Sequence, residues 1–439
     1  MSSAVRLAGA HFPVAVIGGG QAGLSVSYCL RKRAVEHVVI EANAVGHEWR
    51  SRRWDSFCLV TPNWQCKLPG YAYQGTDPDG FMVREEIIGY LEAYAASFAP
   101  PLVEGVRVTR LRRSPAGGVF EVSTSAGDLT ADQVVVATGP YHTRFVPALA
   151  QRLPDGVEQV HSSEYRNAEQ LPPGAVLVVG TGQSGCQIAE DLHLAGRPVH
   201  LAVGSAPRVA RFYRGRDCVA WLDEMGHYRK SIDEFDDAAA VRMRVNHYVT
   251  GRDGGRDIDL RAFARDGMRL YGRLTGVSGT RLEFADDLKV NLDHADAVAE
   301  SIKDAIDAHI AAQSIDAPAE ARYVPVWEPG DQAGEIDLVE AGITSVVWST
   351  GFRRDHRWIE VPVFDGRGYP MHWRGVTGTP GLYFLGLPWQ YSWGSGRFEA
   401  VGRDAAFLAD HIEASRRMAD VCGTLTGAPT GLTAALPVG

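Results

Sequence analysis

The 439-residue sequence contains no apolar run long enough to cross a bilayer, and its short apolar stretch near the N-terminus is interrupted by glycine. We therefore expect neither a membrane span nor a signal peptide. Its six cysteines have neither the close pairing of a zinc site nor the spacing of a compact disulfide framework. Reduced thiols and a cytoplasmic location are the simpler interpretation. A net charge of −9 argues against nucleic acid or an anionic membrane as the main partner.

The sequence also lacks a Ser/His/Asp set, an HExxH motif and a paired-carboxylate pattern, and we predict no metal site. What it has is the composition of a soluble globular protein, with 45% hydrophobic and 22% charged residues. Its length exceeds what one ordinary hydrophobic core accommodates, which predicts two or three domains.

A glycine-rich turn follows the apolar residues 14–17 near the start of the chain. Its spacing, G-x-G-x-x-G, is typical of a buried parallel strand that turns directly into a helix. The first glycine permits the tight turn, the second lets a pyrophosphate approach the backbone, and the third lets the helix lie against the strand. Free N–H groups at the helix start face the phosphates. The predicted binding residues of this turn are Gly18, Gly20, Gln21, Ala22 and Gly23.

The context of this turn favours a dinucleotide site. Residues 24–33 have the pattern of a helix, and the next apolar strand, residues 37–40, ends in Glu41. That acid lies near the offset of ~20 residues at which a carboxylate meets a ribose hydroxyl. The alternative is a structural turn with a solvated Glu41.

A second unit nearly copies the first. The apolar residues 175–179 lead into another G-x-G-x-x-G turn, and a helix follows at residues 186–192. Two such units in one chain are far more specific than one, and they imply two dinucleotides bound by two separate Rossmann-like domains. The predicted binding residues of the second turn are Gly180, Gly182, Gln183, Ser184 and Gly185.

The two units differ where cofactor specificity is set. An acid after the second strand, as at Glu41, favours an unphosphorylated ribose, whereas the second unit has Ser205 and Arg208 there. A guanidinium matches phosphate geometry in a forked pair, so this combination suits a 2′-phosphate. We therefore predict FAD at the first site and NADPH at the second. Three more arginines follow and alternatively form a solvated face: Arg211, Arg214 and Arg216.

Other segments also have the pattern of cofactor contacts. One loop alternates aromatic and arginine residues, and we expect it to cover a planar cofactor rather than to bind nucleic acid. Two apolar strands end at glycine, as buried parallel strands do when their carboxyl ends present backbone to a ligand; ordinary turns after core strands are the alternative. The predicted contacts are His47, Trp49, Arg50, Thr138, Gly139 and Gly386.

These motifs predict an α/β fold with two Rossmann-like domains, the second inserted into the first. We expect the FAD-binding domain at residues 1–168 and 336–420 and the NADPH-binding domain at residues 169–335. Residues 421–439 are rich in small residues and are predicted to be a flexible tail.

The pattern loosens between residues 221 and 321, inside the second domain. Helices are predicted at residues 231–245 and 294–312, and a loop at residues 251–267. This insertion is either a lid or an interface, and the sequence does not decide between them.

Together these residues resemble the flavin-containing monooxygenase family, which includes the trimethylamine and plant indole-pyruvate monooxygenases. The resemblance covers residues 13–412 and rests on the two glycine turns and on the segment His161-Ser162-Ser163-Glu164-Tyr165 between them. That segment is similar to the end of the family fingerprint F-x-G-x-x-x-H-x-x-x-Y/F, although Asp155 and Val157 stand at its first two fixed positions.

The resemblance implies that NADPH passes a hydride to FAD and that reduced flavin captures dioxygen as a C4a-hydroperoxide. One oxygen atom then goes to a small substrate with a nucleophilic nitrogen, sulfur or electron-rich carbon, while the protein keeps water away. The resemblance also implies Asn63 near the flavin and oxygen, and His161 at the domain junction, where its role is catalytic or structural. The expected partners are the substrate and dioxygen, with a homodimer as the candidate assembly.

Aromatic residues and one arginine follow the last predicted strand. They either line a substrate pocket over the flavin or pack in the core. Aromatic walls with one arginine suit a small aromatic or carboxylate-bearing amine. The predicted substrate residues are Trp389, Tyr391, Trp393 and Arg397.

Two other functions stay open at this point. A flavin disulfide reductase or NAD(P)H oxidase-type flavoprotein has a similar two-dinucleotide build. The reductase needs a close pair of redox cysteines, and Cys58 and Cys66 are far apart for one. A flavoprotein that uses nucleotide binding for sensing or assembly is the other.

Overall fold

The computed structural model describes residues 6–115, 117–330 and 334–426. The helices, numbered in chain order, are α1 (Gln21–Lys32), α2 (His47–Ser51), α3 (Arg84–Phe98), α4 (Gln183–Leu194), α5 (Cys218–Glu224), α6 (Ala238–Met243), α7 (Leu260–Arg265), α8 (Leu288–Gln313) and α9 (Val401–Thr426). The strands are β1 (His11–Ile17), β2 (Val38–Ile40), β3 (Lys67–Leu68), β4 (Tyr71–Ala72), β5 (Leu102–Val103), β6 (Val108–Arg113), β7 (Phe120–Thr124), β8 (Leu129–Val136), β9 (Thr143–Arg144), β10 (Glu158–His161), β11 (Ala175–Val179), β12 (Val199–Ala202), β13 (Phe212–Tyr213), β14 (Arg216–Asp217), β15 (Arg269–Tyr271), β16 (Leu274–Ser278), β17 (Arg281–Phe284), β18 (Glu335–Asp337), β19 (Ile343–Trp348), β20 (Phe352–Arg353), β21 (His372–Trp373), β22 (Val376–Thr377) and β23 (Leu382–Phe384).

The first sheet has nine strands, and its parallel core runs in the order β5-β2-β1-β8-β23. The antiparallel strands β21 and β22 extend the edge beside β23, and β6 and β7 continue from β8. The central strands are apolar on both faces because both faces are covered. Helices α1 and α9 pack on one face, and β6, β7 and residues 359–364 cover the other. The edge formed by the carboxyl ends of the parallel strands is therefore where a ligand can bind.

The second sheet has five parallel strands in the order β10-β19-β11-β12-β15. Helices α4, α7 and α8 pack on one face, and the antiparallel strands β16, β17 and β18 pack on the other. Its strands lie in the sequence between the two parts of the first sheet. The predicted fold class, two parallel α/β units with the second inserted into the first, is confirmed.

The chain crosses between the two sheets through a two-stranded ribbon. β9 follows the first sheet and β20 follows the second, and they pair antiparallel with Arg144 opposite Phe352. The expected boundaries at residues 168 and 336 assign β10 and β19 to the first domain, whereas both strands lie in the second sheet. The difference arises because these two strands pair with each other over a long sequence separation, and a short strand does not reveal its partner in its own sequence.

The insertion is less helical at its start than predicted and more helical later. In residues 231–245 a short 3-10 turn is closed by the Ser231–Glu234 capping box, and only α6 forms an α-helix. The expected loop at residues 251–267 contains α7, because the Asp259 side chain accepts hydrogen bonds from two N–H groups of its first turn. The later predicted helix lies within the longer α8.

The last helix includes the first residues of the flexible tail that we predicted at residues 421–439. Helix α9 continues to Thr426, and residues 427–439 lie outside the described residues, as do residues 1–5 of the first predicted domain. In the described part of the chain, no helix combines the length and the apolarity that crossing a membrane requires.

Candidate functional site

The first glycine turn lies at the carboxyl end of β1 and is tightly packed on one side only. Gly18 has a φ of +109°, and a Cβ there would lie 2.6 Å from the Ala137 carbonyl oxygen. A Cβ on Gly23 would lie 1.8 Å from the Gly18 carbonyl oxygen, so neither position accepts a side chain. A Cβ on Gly20 would meet nothing within 4 Å. This open space beside a helix start is what a phosphate needs.

The second glycine turn repeats this geometry at the end of β11. A Cβ on Gly180 would lie 2.8 Å from the Ser349 carbonyl oxygen, and one on Gly185 would lie 1.9 Å from the Gly180 carbonyl oxygen. A Cβ on Gly182 would meet nothing within 4 Å. Ser184, in the first turn of α4, is exposed. The chain therefore presents the same open cradle twice.

Glu41 lies directly against the first turn. Its Oε2 accepts a hydrogen bond from the Gly19 N–H at 2.7 Å, and its Oε1 accepts one from the Asn43 N–H at 2.9 Å. Two backbone donors hold the carboxylate in one orientation, and each oxygen keeps a lone pair for a ribose hydroxyl. The side chain is thus fixed beside the cradle rather than freely solvated.

The predicted phosphate-binding arginine of the second site is partly engaged within the protein. Arg208 is 3% exposed, and its Nε donates to Asp296 Oδ1 at 2.6 Å. Its Nη2 is buried and has no hydrogen-bond partner among the described residues, which leaves a donor for an anionic ligand. Ser205, in the loop before it, is exposed. The three following arginines are each paired with a carboxylate: Arg211 with Asp217, Arg214 with Asp307 and Arg216 with Glu224.

The ends of β8 and β23 lie at the same edge of the first sheet as the first turn. Gly386 follows β23, and a Cβ there would lie 2.9 Å from Ala22 Cβ. After β8, Thr138 Oγ1 lies 3.2 Å from His142 Nε2, and a Cβ on Gly139 would meet nothing within 4 Å. The structure therefore brings these predicted backbone contacts together with the glycine turn.

The loop of aromatic and arginine residues forms helix α2, and the cofactor contacts predicted in it point in different directions. Trp49 stacks on Phe398 with 5.8 Å between ring centroids, beside the predicted substrate loop. Arg50 points to helix α3, where its Nη2 lies 2.6 Å from Glu92 Oε1. His47 is the first residue of α2. The structure thus brings Trp49, and not Arg50, to the substrate loop.

The insertion covers the loop of residues 388–397. Its contacts are the Tyr228 ring with Trp393 (4.5 Å between centroids), the Phe235 ring with Trp389 (5.4 Å), the Ile232 N–H with the Tyr391 carbonyl (2.6 Å) and Arg397 with Asn246 Oδ1 (2.8 Å). On the other side, Gln21 Nε2 donates to the Gly396 carbonyl at 3.0 Å. All four predicted substrate residues therefore lie in one loop, with the first glycine turn on one side and the insertion over it. The insertion has the position of a lid.

Two guanidinium groups beside this loop have no ion pair with a carboxylate of the described residues. Arg397 lies 3.7 Å from the Trp393 ring centroid, and Arg53 lies 5.1 Å from the Trp49 ring centroid. Burial lowers the pKa of both guanidinium groups. Arg53 is not among the contacts predicted from the sequence, although its place in the loop of aromatic and arginine residues was a signal.

The side chain of Asn63 is occupied by its own loop. It is buried, its Nδ2 donates to the Asp77 carbonyl at 3.0 Å, and its Oδ1 accepts from the Met82 N–H at 2.7 Å. Two residues later, Gln65 is 1% exposed, and in the part of the chain that the structure describes neither end of its amide has a hydrogen-bond partner. Gln65 thus has free polar atoms where Asn63 has none, and no pattern in the sequence distinguishes it.

His161, at the end of β10, contacts the start of β20 in the two-stranded ribbon that connects the two sheets. Its Nε2 lies 3.0 Å from the Gly351 carbonyl oxygen, and its Nδ1 lies 2.9 Å from Ser163 Oγ. Its ring meets the Phe352 ring edge-on at 4.9 Å. Burial lowers its pKa, which favours the neutral imidazole. These contacts suit a histidine that positions the ribbon.

The described cysteines do not form a redox centre. Cys58 and Cys66 are buried free thiols, and burial raises the pKa of Cys58 to about 11 and that of Cys66 to about 12. Cys186, on α4, is also buried, and burial raises its pKa well above the usual value. Thiols with raised pKa values are poor nucleophiles in exchange. Within the described ranges, no group of three or more His, Cys, Asp or Glu side chains is arranged to hold a metal ion.

Comparisons with known proteins agree with this architecture. A family model described as pyridine nucleotide-disulphide oxidoreductase matches residues 15–250. A protein of Geobacillus kaustophilus described as an uncharacterized oxidoreductase is 33% identical over 407 residues, which are 91% of this chain and 97% of that protein. A probable indole-3-pyruvate monooxygenase of Arabidopsis thaliana is 30% identical over 45% of this chain and 48% of its own. A flavin-containing monooxygenase structure from Stenotrophomonas maltophilia has a TM-score of 0.64 at 20% identity, over 92% of this chain and 99% of its own.

Proposed function

The chain belongs to the pyridine nucleotide-disulphide oxidoreductase family, and on that premise we propose that it is a flavin-containing monooxygenase, which uses FAD and consumes NADPH to oxygenate a small nucleophilic substrate. The similarity to an indole-3-pyruvate monooxygenase and to a flavin-containing monooxygenase structure supports the resemblance inferred from the sequence. The observation that carries the proposal is the duplicated cradle, in which Gly20 and Gly182 each face open space. Two such cradles on one chain suit the passage of electrons from one dinucleotide to another.

The residues present fit both cofactors. FAD would be held by the first glycine turn at its pyrophosphate and by Glu41 at its ribose. NADPH would be held by the second turn, with the free Nη2 of Arg208 and the Ser205 hydroxyl toward its 2′-phosphate. When both are bound, they supply hydride transfer to the flavin and flavin-dependent activation of dioxygen for transfer of one oxygen atom.

The contribution of the chain is to position the reactants and to exclude water. Trp389, Tyr391 and Trp393 lie in the loop over the first cradle, and the insertion covers that loop through Tyr228 and Phe235. A dry, aromatic cover of this kind protects reactive oxygen chemistry from water and from loss as peroxide. The insertion therefore serves as the lid of the proposed oxygenation site.

The substrate class follows from the side chains beside the loop. Aromatic faces suit a flat or apolar substrate body that ends in a nucleophilic nitrogen, sulfur or electron-rich carbon. Arg397 and Arg53 have no carboxylate partner among the described residues, and a substrate carboxylate would supply the missing charge. A small aromatic or carboxylate-bearing substrate fits best.

The disulfide reductase alternative finds no support in the thiols. Its chemistry needs two cysteines close to the flavin, one of them with a lowered pKa. The described cysteines are buried and free, and the pKa values of Cys58 and Cys66 are raised.

The proposal is tested with purified protein, first without oxygen and then with it. The protein is expected to be yellow, to lose its flavin colour with NADPH under nitrogen, and to consume NADPH in air with amines, thioethers or indoles, including carboxylate-bearing members of each class. Oxygenated product and hydrogen peroxide are counted separately. A colourless protein that does not take up FAD, or NADPH consumption that ends entirely in peroxide with every substrate class, contradicts the proposal.

A further inference from the structure

A second group of cations lies away from the glycine turns, around the ring of Tyr369. The guanidinium carbons of Arg242 and Arg354 both lie 4.9 Å from its ring centroid. Arg242 is on α6 of the insertion, whereas Arg354 is in the loop after β20. Neither arginine has an ion pair with a carboxylate in the described ranges, and the Nε of each is buried without a hydrogen-bond partner. Two like charges thus share one ring without a counter-ion.

A buried histidine lies beside Arg354. His356 is 8% exposed, and neither ring nitrogen has a hydrogen bond of full geometry within the described residues; the Gly368 backbone beside the ring acts to raise its pKa, against the larger lowering by burial. The ring stacks on Phe364 at 5.2 Å and meets His142 edge-on at 4.9 Å. A neutral imidazole has one N–H donor. His356 therefore adds an N–H donor to the two unpaired Nε donors.

The polar groups that complete the cluster are donors or neutral. The Tyr369 hydroxyl lies 3.1 Å from His372 Nε2, and His372 Nδ1 accepts from the Gly375 N–H at 3.2 Å. The nearby carboxylates are engaged elsewhere. Asp365 Oδ1 accepts from the Tyr369 and Arg367 N–H groups, and Asp355 pairs with Arg357.

We propose that Arg242, Arg354 and His356 form a binding site for an oxyanion, a phosphate or a carboxylate. Two guanidinium groups and an imidazole N–H supply several donors to the multiple acceptor oxygens of such a group, and guanidinium to oxyanion bonds are the strong, charge-assisted ones. An oxyanion here neutralises the two like charges and pairs buried donors that are otherwise unsatisfied.

The site joins two parts of the molecule. Arg242 belongs to the insertion, and Arg354 belongs to the segment that leads back into the first sheet. A bound oxyanion holds the insertion in place over the loop of residues 388–397. Because the cluster lies away from both glycine turns, the anion comes from solution, as a free phosphate or as the carboxylate of a substrate. The inference does not depend on the proposed oxygenation.

The test compares two site variants, Arg242→Gln and Arg354→Gln, with two matched controls. The controls are Arg244→Gln, exposed two residues further along the insertion, and Arg367→Gln, exposed two residues before Tyr369. Each FAD-loaded protein is titrated with inorganic phosphate and with acetate by calorimetry at constant ionic strength. The flavin content after desalting is measured separately. Arg354→Lys, which keeps the charge, separates loss of the ligand from loss of the fold.

We expect the two site variants, but not the controls, to weaken binding of phosphate or acetate at least about tenfold, with Arg354→Lys in between. That result assigns the site to an anion from solution. If instead the site variants lose flavin while their anion binding stays unchanged, the two arginines act through the flavin-binding fold, and the proposal fails. Wild-type anion binding and flavin content in both site variants overturn it, as does an equal loss in the controls.

Discussion

Gln21 and Gln183 occupy the same position in the two glycine turns and make the same contact. Gln21 Nε2 donates to the Gly396 carbonyl at 3.0 Å, and Gln183 Nε2 donates to the Val249 carbonyl at 2.6 Å. Each glutamine therefore ties the first residue of its helix to the backbone of a distant loop beside its cradle. Glutamine occurs at this position of both turns because its side chain makes the same kind of hydrogen bond in each.

Replacing either glutamine by alanine should weaken the binding of one cofactor and leave the binding of the other unchanged. Loss of one hydrogen bond, about 1 kcal/mol, corresponds to about fivefold in affinity. We expect Gln21→Ala to lower the affinity for FAD and Gln183→Ala to lower that for NADPH, each by about this factor. Flavin fluorescence on reconstitution and NADPH titration measure the two constants, and each variant is the control for the other. Equal effects on both cofactors would contradict separate roles.

Asn63 and Gln65 allow a buried amide with hydrogen bonds to be compared with a buried amide that has none among the described residues. Asn63→Ala leaves the buried Met82 N–H and the Asp77 carbonyl without their partner, and we expect the free energy of unfolding to fall by about 1–3 kcal/mol. Gln65→Leu removes a buried amide that has no partner, and we expect equal or higher stability. Urea unfolding of the flavin-loaded proteins measures both. An Asn63→Ala variant as stable as wild type would refute the structural role.

Arg208 should set the preference for NADPH over NADH. Its removal leaves Asp296 paired with Arg261 at 2.9 Å, so the fold should survive Arg208→Gln. We expect the dissociation constant of NADPH to rise at least about tenfold, because a charge-assisted contact to the 2′-phosphate is lost, while that of NADH stays unchanged. Arg216→Gln, which removes an arginine paired with Glu224, is the control. An equal rise for both nucleotides would show that Arg208 acts through the fold.

Acid should destabilise the second sheet through His200. The side chain is 3% exposed, and burial, with Arg269 as the next cause, lowers its pKa to about 4. The unfolded chain takes up this proton near pH 6.5 and the folded chain only near pH 4. Stability is therefore full above pH 6.5 and is lost as the pH falls from 6.5 to 4, by up to about 3 kcal/mol for this group. The free energy of unfolding should differ less between pH 7 and pH 5 in His200→Gln than in the wild type. The control is His294→Gln, which replaces an exposed histidine and should keep the full difference.

The parts of the site that depend on local sequence were predictable. A glycine turn between a strand and a helix is specified by neighbouring residues, and the structure places the open faces of Gly20 and Gly182 where the spacing predicts them. Glu41 lies beside its turn for the same reason, since the length of one strand and one helix brings it there.

The parts that depend on distant partners were not predictable from one sequence. The spacing gives no sign that Arg208 pairs with Asp296, 88 residues later, or that Arg50 points to Glu92 on another helix. The free amide of Gln65 is equally hidden, because a lack of partners is a property of the packed structure. Helix α7 is a different case, because its capping residue Asp259 is a local signal that the sequence itself contains.

The ribbon of β9 and β20 brings the entry and the exit of the second nucleotide-binding unit side by side, with Thr143 opposite Arg353. A unit whose ends meet can be spliced into a host, or removed from it, without stretching either. Deleting the chain between these two strands and closing the gap with a few residues should yield a flavoprotein with one dinucleotide. The second nucleotide-binding unit can therefore be gained or lost as one continuous piece of chain.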